Sequence, residues 1–515
     1  MLALLTALAV GLLWVCNRVF AVPPHLRHLP RVPILPLILS YASAETEERR
    51  TLRLLLPCAQ THKSGLVLVW AFGLWFVHCV DPKTGKAMME NRHFDKQPPP
   101  EGMLFWRFIG SSNIIVTTSN ANWRARSKPV RNALARSVGT CIPQFVALSQ
   151  KLVGILSSAN RGVRKSGDEG ADGVYRVCWS DLAHRFSLDA IGTTALGYDF
   201  NALEHPNSTF VTQYHRVMHD IANPLYVFLP ILETIFPRRR VVRDIDELVD
   251  AFLGILRTKE MNPGDDIISY MLEDPEMTAQ ERRDNMVTLF MAGHDTTAGS
   301  LSTLIYCLAK YPNCQHRARE EVFRTLGSYT DLNTGNLARL PYLQACIREG
   351  MRFHNPSTTT MPRVAPAPVD VCGHTIPPNT PILLNMYGVH RNPRVWRDPE
   401  TFDPERFLRS NKSTPSKVLH EAITEEKEEE EAESELDELE NGWLPFGLGP
   451  RSCPARAFSL IEQKTLLAIL LREFEWSLPE NSVHSEHLHV AFSVFALNLP
   501  HDLDIIFRKV SKKCN

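Results

Sequence analysis

The stretch Trp443-Leu444-Pro445-Phe446-Gly447-Leu448-Gly449-Pro450-Arg451-Ser452-Cys453 ends in a thiol. Its two glycines and two prolines exclude a regular helix or strand and favour a tight, fixed loop. An apolar helical stretch follows from Ala455 through Leu471. Cys453 is therefore expected at a helix N-terminus, with Arg451 two residues before it. Both features lower a thiol pKa and favour thiolate. Four roles compete. A buried structural thiol is the plain one. A zinc ligand needs Cys or His partners, and the loop has none. A nucleophile needs a histidine base that the sequence does not place. An axial ligand of haem iron needs a single cysteine in an apolar pocket.

A second locus lies inside the longest apolar helical pattern, Arg282 to Lys310, which ends before Pro312. Its middle reads Met291-Ala292-Gly293-His294-Asp295-Thr296-Thr297-Ala298-Gly299. Each glycine costs a helix about 1 kcal/mol relative to alanine, and an unpaired buried carboxylate costs more. Such local inconsistency is expected at a functional site. The glycines remove side chains, so a group can lie against the helix next to Thr296. The alternative is a capped helix break.

The elements that must position these residues follow from pattern. Leu66 to Val80 reads as a hairpin broken near Gly73. Phe94 to Asn122 reads as a long irregular loop carrying Phe105, Trp106 and Phe108, which either bind a ligand or pack beneath the loop. Trp123-Arg124-Ala125-Arg126-Ser127-Lys128, with Arg131 after it, opens a basic helix. Residues 140 to 260 are largely amphipathic helix. Pro341 starts a helix that ends before Pro356 and holds Glu349 and Arg352, three apart and able to pair. Pro362-Arg363 follows in an extended segment. Gly373 to Leu384 reads as a second hairpin, turning at Pro378-Asn379. The result is mainly α with small β-sheets.

The chain has 515 residues, a net charge of −1 and 44% hydrophobic residues, with no excess of basic residues to suggest nucleic-acid binding. Its 11 cysteines are scattered, without paired spacing, as in a reducing compartment. Residues 1–22 are apolar enough to cross a bilayer. They lack a basic region ahead of the apolar core, and Arg18, Arg27 and Arg31 follow it. This predicts a retained anchor with the body on the cytosolic side. Residues 23–40 are proline-rich and read as a stiff connector. Residues 41–515 form one large globular domain behind that transmembrane helix. Within it, 410–440 is an acidic, low-complexity insertion expected to be disordered or solvated.

Taken in order, these motifs resemble the cytochrome P450 family of haem-thiolate monooxygenases. Phe446-x-x-Gly449-x-Arg451-x-Cys453 is similar to the family's haem-binding signature, and Ala292 to Thr297 to its oxygen-activation motif. Glu349-x-x-Arg352 with Pro404-Glu405-Arg406-Phe407 resembles its structural Glu-Arg-Arg triad, and Trp123 with its basic neighbours the haem-propionate helix. The anchor and connector resemble the microsomal two-component type, and the overall style its fungal members. The sequence departs from the pattern at Ala455 and Ser459, and Ser127 stands where an arginine is usual, leaving Arg126 or Lys128 to substitute.

The resemblance implies the cytochrome P450 fold and haem held by Cys453, with Phe446 shielding the sulfur. It implies Trp123, Arg126, Lys128, Arg363 and Arg451 around the haem, and Ala292 beside it. Asp295 and Thr296 would deliver protons to dioxygen, the helix opening at Gly293 to make room. Phe105, Phe108, Ala292 and Met361 would line an apolar substrate pocket. Electrons would come from a membrane-bound NADPH reductase docking near Lys128, Arg131 and Arg456. The location would be the endoplasmic reticulum membrane, single-pass, with the catalytic domain facing the cytosol. The substrate would be a hydrophobic small molecule such as a terpenoid, a lipid or another secondary metabolite. Two other readings stay open: an oxygen-independent haem-thiolate isomerase or dehydratase, and a haem-binding protein without catalysis.

Overall fold

The computed structural model describes residues 19–97, 102–158, 174–327, 331–409 and 442–510. The expected anchor over 1–22 lies almost wholly outside the described residues, as does the acidic run over 410–440. Among the described residues no helix is long and apolar enough to cross a membrane.

The helices that build the site are α1 (Ile34–Ala42), α2 (Leu104–Ile109), α3 (Asn120–Thr140), α4 (Ile142–Ser158), α5 (Trp179–Ile191), α6 (Thr209–Ile221), α7 (Arg239–Met261), α8 (Ala279–Lys310), α9 (Pro312–Leu326), α10 (Pro341–Phe353) and α11 (Arg456–Glu473). The strands are β1 (Leu66–Ala71), β2 (Leu74–Cys79), β3 (Asp95–Lys96), β4 (Val174–Cys178), β5 (Arg363–Val364), β6 (Val369–Val371), β7 (His374–Ile376), β8 (Ile382–Leu384), β9 (Phe474–Ser477) and β10 (Asp504–Lys509). They form a sheet of order β1-β2-β8-β5-β3, a three-stranded sheet β4-β10-β9 and the hairpin β6-β7.

Helix α8 is the axis of the helical part. A capping box starts it: Thr278 Oγ1 accepts from the Glu281 N–H, and the Glu281 carboxylate accepts from the Thr278 N–H. It is buried on nearly all sides, so polar residues such as Asn285, Thr288 and Ser300 are buried with the apolar ones. The helix runs unbroken through 291–299. A Cβ on Gly293 would sit 2.6 Å from Ile191 Cδ1 of α5, and one on Gly299 would sit 2.9 Å from Leu499 Cδ2. The two glycines therefore let neighbouring segments close onto α8. The expected opening at Gly293 is absent, because its bare face is filled by α5.

Three further expectations change. Residues 23–40 do not stand off as a spacer. Val22, Leu26 and Leu29 are buried against the first sheet, Val32 N–H donates to Leu68 O, and Leu68 N–H donates to Pro30 O. The second hairpin turns at Cys372-Gly373, both with positive φ. Ile382–Leu384 instead joins the first sheet, parallel to β2, because three apolar residues in a row fit a fully buried strand. The loop over 94–122 contains β3 and α2. It is held by α8, where Asp284 accepts from Ser112 N–H at 2.8 Å and Asn285 Oδ1 from Ile114 N–H at 3.0 Å. Gly110 has φ +73°, and a Cβ there would strike the Asp284 carboxylate.

Candidate active site

The cysteine loop is built by its own backbone. Gly447 and Gly449 take φ of +77° and +70°, the left-handed region that glycine occupies without steric cost. Cys453 N–H donates to Phe446 O at 2.8 Å, closing the loop. The half-buried Phe446 ring lies 6.0 Å from that of Trp443. Helix α11 begins only at Arg456, with Ala455 at its N-cap. Ala455 has φ −94°, which any residue adopts, so glycine is not required there. Ser459 accepts from Gln463 Nε2 at 3.0 Å, and Gln463 Oε1 accepts from Ser300 Oγ at 3.0 Å. That departure from the pattern thus ties α11 to α8.

Cys453 is exposed, yet its sulfur lies deep enough that burial is the largest influence on its pKa and raises it. The Ala455 N–H and the Arg456 cation pull the other way. The expected lowering by Arg451 does not occur. Its guanidinium stacks 4.4 Å from the Trp123 ring centroid and donates to Thr117 O at 2.8 Å and Asn120 Oδ1 at 3.2 Å. A stable thiolate here calls for a bound cation such as iron.

Arg451 belongs to a different cluster. Strand β3 pairs with β5 so that Lys96 lies opposite Arg363. Burial and the Arg363 and Arg451 charges push Lys96 down to about 7. Burial pushes Arg363 down to about 10, and burial with Arg363 pushes Arg451 down to about 9, partly offset by Asp95. Arg363 donates to Met89 O, but its buried Nε has no partner. Three cations crowded together with an unsatisfied donor fit a group that carries two carboxylates. Lys96 is the member that sequence reasoning missed. No spacing marks it, and only the β3–β5 register reveals it. Arg126 and Lys128 are not members. Arg126 pairs with Glu281 at 2.9 Å, clamping α3 to the start of α8, and Lys128 is exposed. Trp123 is buried beneath Arg451, its Nε1–H donating to Ile114 O at 3.0 Å.

Below the loop, Glu349 and Arg352 are fully buried and paired through both oxygens at 2.7 and 2.8 Å. Arg406 Nε lies 3.4 Å from Glu349 Oε1. Arg352 also donates to the carbonyls of His390, Pro399 and Thr401. His390 links this group to the cysteine loop, its Nε2 accepting from Leu444 N–H at 2.9 Å. Burial, then the Arg352 and Arg391 charges, hold its pKa well below the ordinary value, which keeps Nε2 free to accept.

On α8, Thr296 Oγ1 donates to Ala292 O at 2.8 Å, and both residues are half-buried. Asp295 meets two histidines. Its Oδ1 lies 3.3 Å from His294 Nδ1 and 3.7 Å from His184 Nδ1 of α5. Burial raises the Asp295 pKa, against the pull of His184 and His215. Phe105 on α2 packs its ring 5.0 Å from Phe495. Phe108, expected in the substrate pocket, is instead fully buried beside Phe252 of α7, because α2 turns it into the core. Met361 is half-buried.

A thiol at the end of a rigid loop, a cluster of three crowded cations and a continuous central helix agree with what the comparisons find. The Cytochrome P450 family pattern matches residues 76–499. The chain belongs to the cytochrome P450 family, whose members hold haem through a cysteine thiolate. Cytochrome P450 76AD1 from Beta vulgaris is 29% identical over 290 residues, 53% of this chain and 54% of that protein. Geraniol 8-hydroxylase from Swertia mussotii is 29% identical over 314 residues, 58% of each. The aligned part spans little more than half the length of these curated relatives. The crystal structure of a cytochrome P450DA heme domain shares the fold, with a TM-score of 0.72 at 22% identity over 94% of this chain and 97% of that one.

Proposed function

We propose that this chain is a monooxygenase that inserts one oxygen atom of O2 into a hydrophobic small molecule, with electrons from an NADPH-dependent reductase. The observation that carries the reading is the cationic nest of Lys96, Arg363 and Arg451, together with the Cys453 sulfur. Cys453 would hold the iron, its basicity set by the Ala455 N–H and Arg456. Lys96, Arg363 and Arg451 would hold the two propionates. Bound haem supplies the activation of dioxygen. Thr296, now bonded to the Ala292 carbonyl, would turn its hydroxyl toward the oxygen side, and Asp295 would carry the proton that replenishes it. Glu349, Arg352 and Arg406 act as scaffold, fixing the loop through His390.

The walls available to a substrate are apolar: Phe105, Phe495, Ala292 and Met361. A relative named for geraniol hydroxylation makes a terpenoid-sized hydrocarbon the first class to try. Membrane attachment at the endoplasmic reticulum has support beyond residues 1–22. Leu225, Leu229, Ile231, Ile235 and Phe236 are each at least half exposed, and so are Leu35 and Leu39 of α1. Phe228 stacks on the exposed Phe72 of the β1–β2 turn at 5.3 Å, joining this surface to the first sheet. So large an apolar surface suits a lipid interface. Lys128 and Arg131, both exposed, would meet an acidic reductase.

The test is the reduced, carbon-monoxide difference spectrum of membranes carrying the chain. The expected result is a strongly red-shifted Soret band, absent from Cys453→Ala. Asp295→Asn should keep the band and lose reductase-driven product formation. A normal band in Cys453→Ala would overturn the ligand assignment.

A further inference from the structure

A second cluster of titratable groups lies between α5 and α8. Among the described residues, His184, His294 and Asp295 form a group of three whose ligand atoms lie within 4.8 Å of one another. His184 comes from α5, and the other two are adjacent on α8. Asp295 Oδ1 is 3.3 Å from His294 Nδ1 and 3.7 Å from His184 Nδ1. Zinc with bonds near 2.0 Å spaces tetrahedral ligand atoms roughly 3.3 Å apart. Two of the three edges are already close to that length, and the third is at most 4.8 Å.

The surroundings point the same way. His294 is buried, and Nδ1 is the nitrogen it turns toward Asp295. The Tyr214 hydroxyl of α6 lies 3.3 Å from His294 Nδ1, beside the position a fourth ligand would take. The side chains of His184 and Asp295 are 27% and 20% exposed, so an ion can reach them. His215 is a further titratable neighbour that acts on all three residues, and Asp181 is paired with Arg185.

We propose that His184, His294 and Asp295 bind a zinc-class divalent cation between α5 and α8. Two imidazoles and one carboxylate select a nitrogen-seeking metal over magnesium or calcium. Its consequence for turnover rests on the reading of Asp295 given above. An ion that pins the Asp295 carboxylate removes it from proton delivery, so the site is inhibitory.

The test is calorimetric titration of the purified, haem-loaded full chain with zinc chloride, with His184→Ala and His184→Gln alongside. Each variant is first checked for the thiolate-type difference spectrum. Surface histidines give a background common to all three proteins. The expected result is one zinc per chain bound about tenfold or more tighter in the wild type than in either variant. Indistinguishable isotherms in the three proteins would overturn the site, and so would equal binding of magnesium. Turnover is then measured with saturating zinc, at a level that leaves the reductase's own reduction of cytochrome c unchanged. The wild type should lose product formation and the His184 variants should not. Tight, His184-dependent binding without loss of turnover would keep the site and overturn the role of Asp295.

Discussion

Two groups of buried charge are tied to the cysteine loop, and they are built on different principles. Glu349, Arg352 and Arg406 are matched: the buried Arg352 and the part-buried Arg406 share one carboxylate, and Arg352 donates its other protons to three backbone carbonyls. Lys96, Arg363 and Arg451 are only partly matched: three cations repel one another, with Asp95 offsetting part of that at Arg451, and a buried Arg363 nitrogen donates to nothing. A matched group holds the fold together and needs nothing further. A partly matched one costs stability until a ligand answers it. The difference separates scaffold from binding site without reference to any motif.

The largest effect should come from breaking the matched group. Arg352→Ala strips the buried Glu349 carboxylate of its paired guanidinium and leaves it only Arg406 at 3.4 Å and the Asp403 N–H, which costs about 3–5 kcal/mol. The expected outcome is little folded, spectrally competent protein, read by urea unfolding and by the yield of the thiolate-type band. Arg352→Lys should fail nearly as badly, because one ammonium cannot make the paired contacts of a guanidinium.

Removing a cation from the partly matched group should have opposite signs in two states. Lys96→Met should leave the haem-free chain as stable as before or more so. In the loaded chain it removes a charge-assisted hydrogen bond worth about 1.5–3 kcal/mol, so haem should transfer to apomyoglobin roughly tenfold faster or more. Destabilisation of the haem-free form by this change would mean that Lys96 is matched by a partner in the fold.

A pH titration sharpens the same contrast. The folded-state pKa of Lys96, about 7, lies below the ordinary lysine value of 10.5. Between these values the unfolded chain binds more protons than the folded one, so the haem-free chain should gain stability as pH rises from about 7 toward 10.5. The part of the gain between about pH 7 and 9 should vanish in Lys96→Met, with Arg451 at about 9 and Arg363 at about 10 still contributing above it. The gain should shrink in the loaded chain, where carboxylates keep the lysine charged. Chemical unfolding at several pH values measures it.

The smallest effect should fall far from both groups. Ser459→Ala removes the acceptor for Gln463, which keeps its bond from Ser300. A loss of about 1 kcal/mol in unfolding free energy is expected, with the difference spectrum unchanged. A shifted spectrum would make the α11–α8 link part of the cysteine environment.

Much of the site was legible because its rules are local. A loop with glycines at positive φ and a cysteine at its end is set by nearest-neighbour sterics. So is a glutamate three residues before an arginine on one helix face. Errors arose where a residue's meaning depends on what packs against it. Gly293 reads as space for a ligand and is filled by Ile191. Arg126 reads as a propionate contact and answers Glu281. Phe108 reads as pocket lining and belongs to the core. The prolines of 23–40 read as a spacer, yet the segment lies along the first sheet.

The sequence by itself determined the order of motifs, the loop that presents Cys453 and the long central helix, because short-range sterics and hydrophobic period act along the chain. Only the tertiary structure decided which charges meet. Lys96 joins Arg363 through strand register, and His184 joins Asp295 through the crossing of two helices. Such contacts join residues far apart in sequence, and electrostatic energy depends on distance and burial, neither of which is written in spacing along the chain.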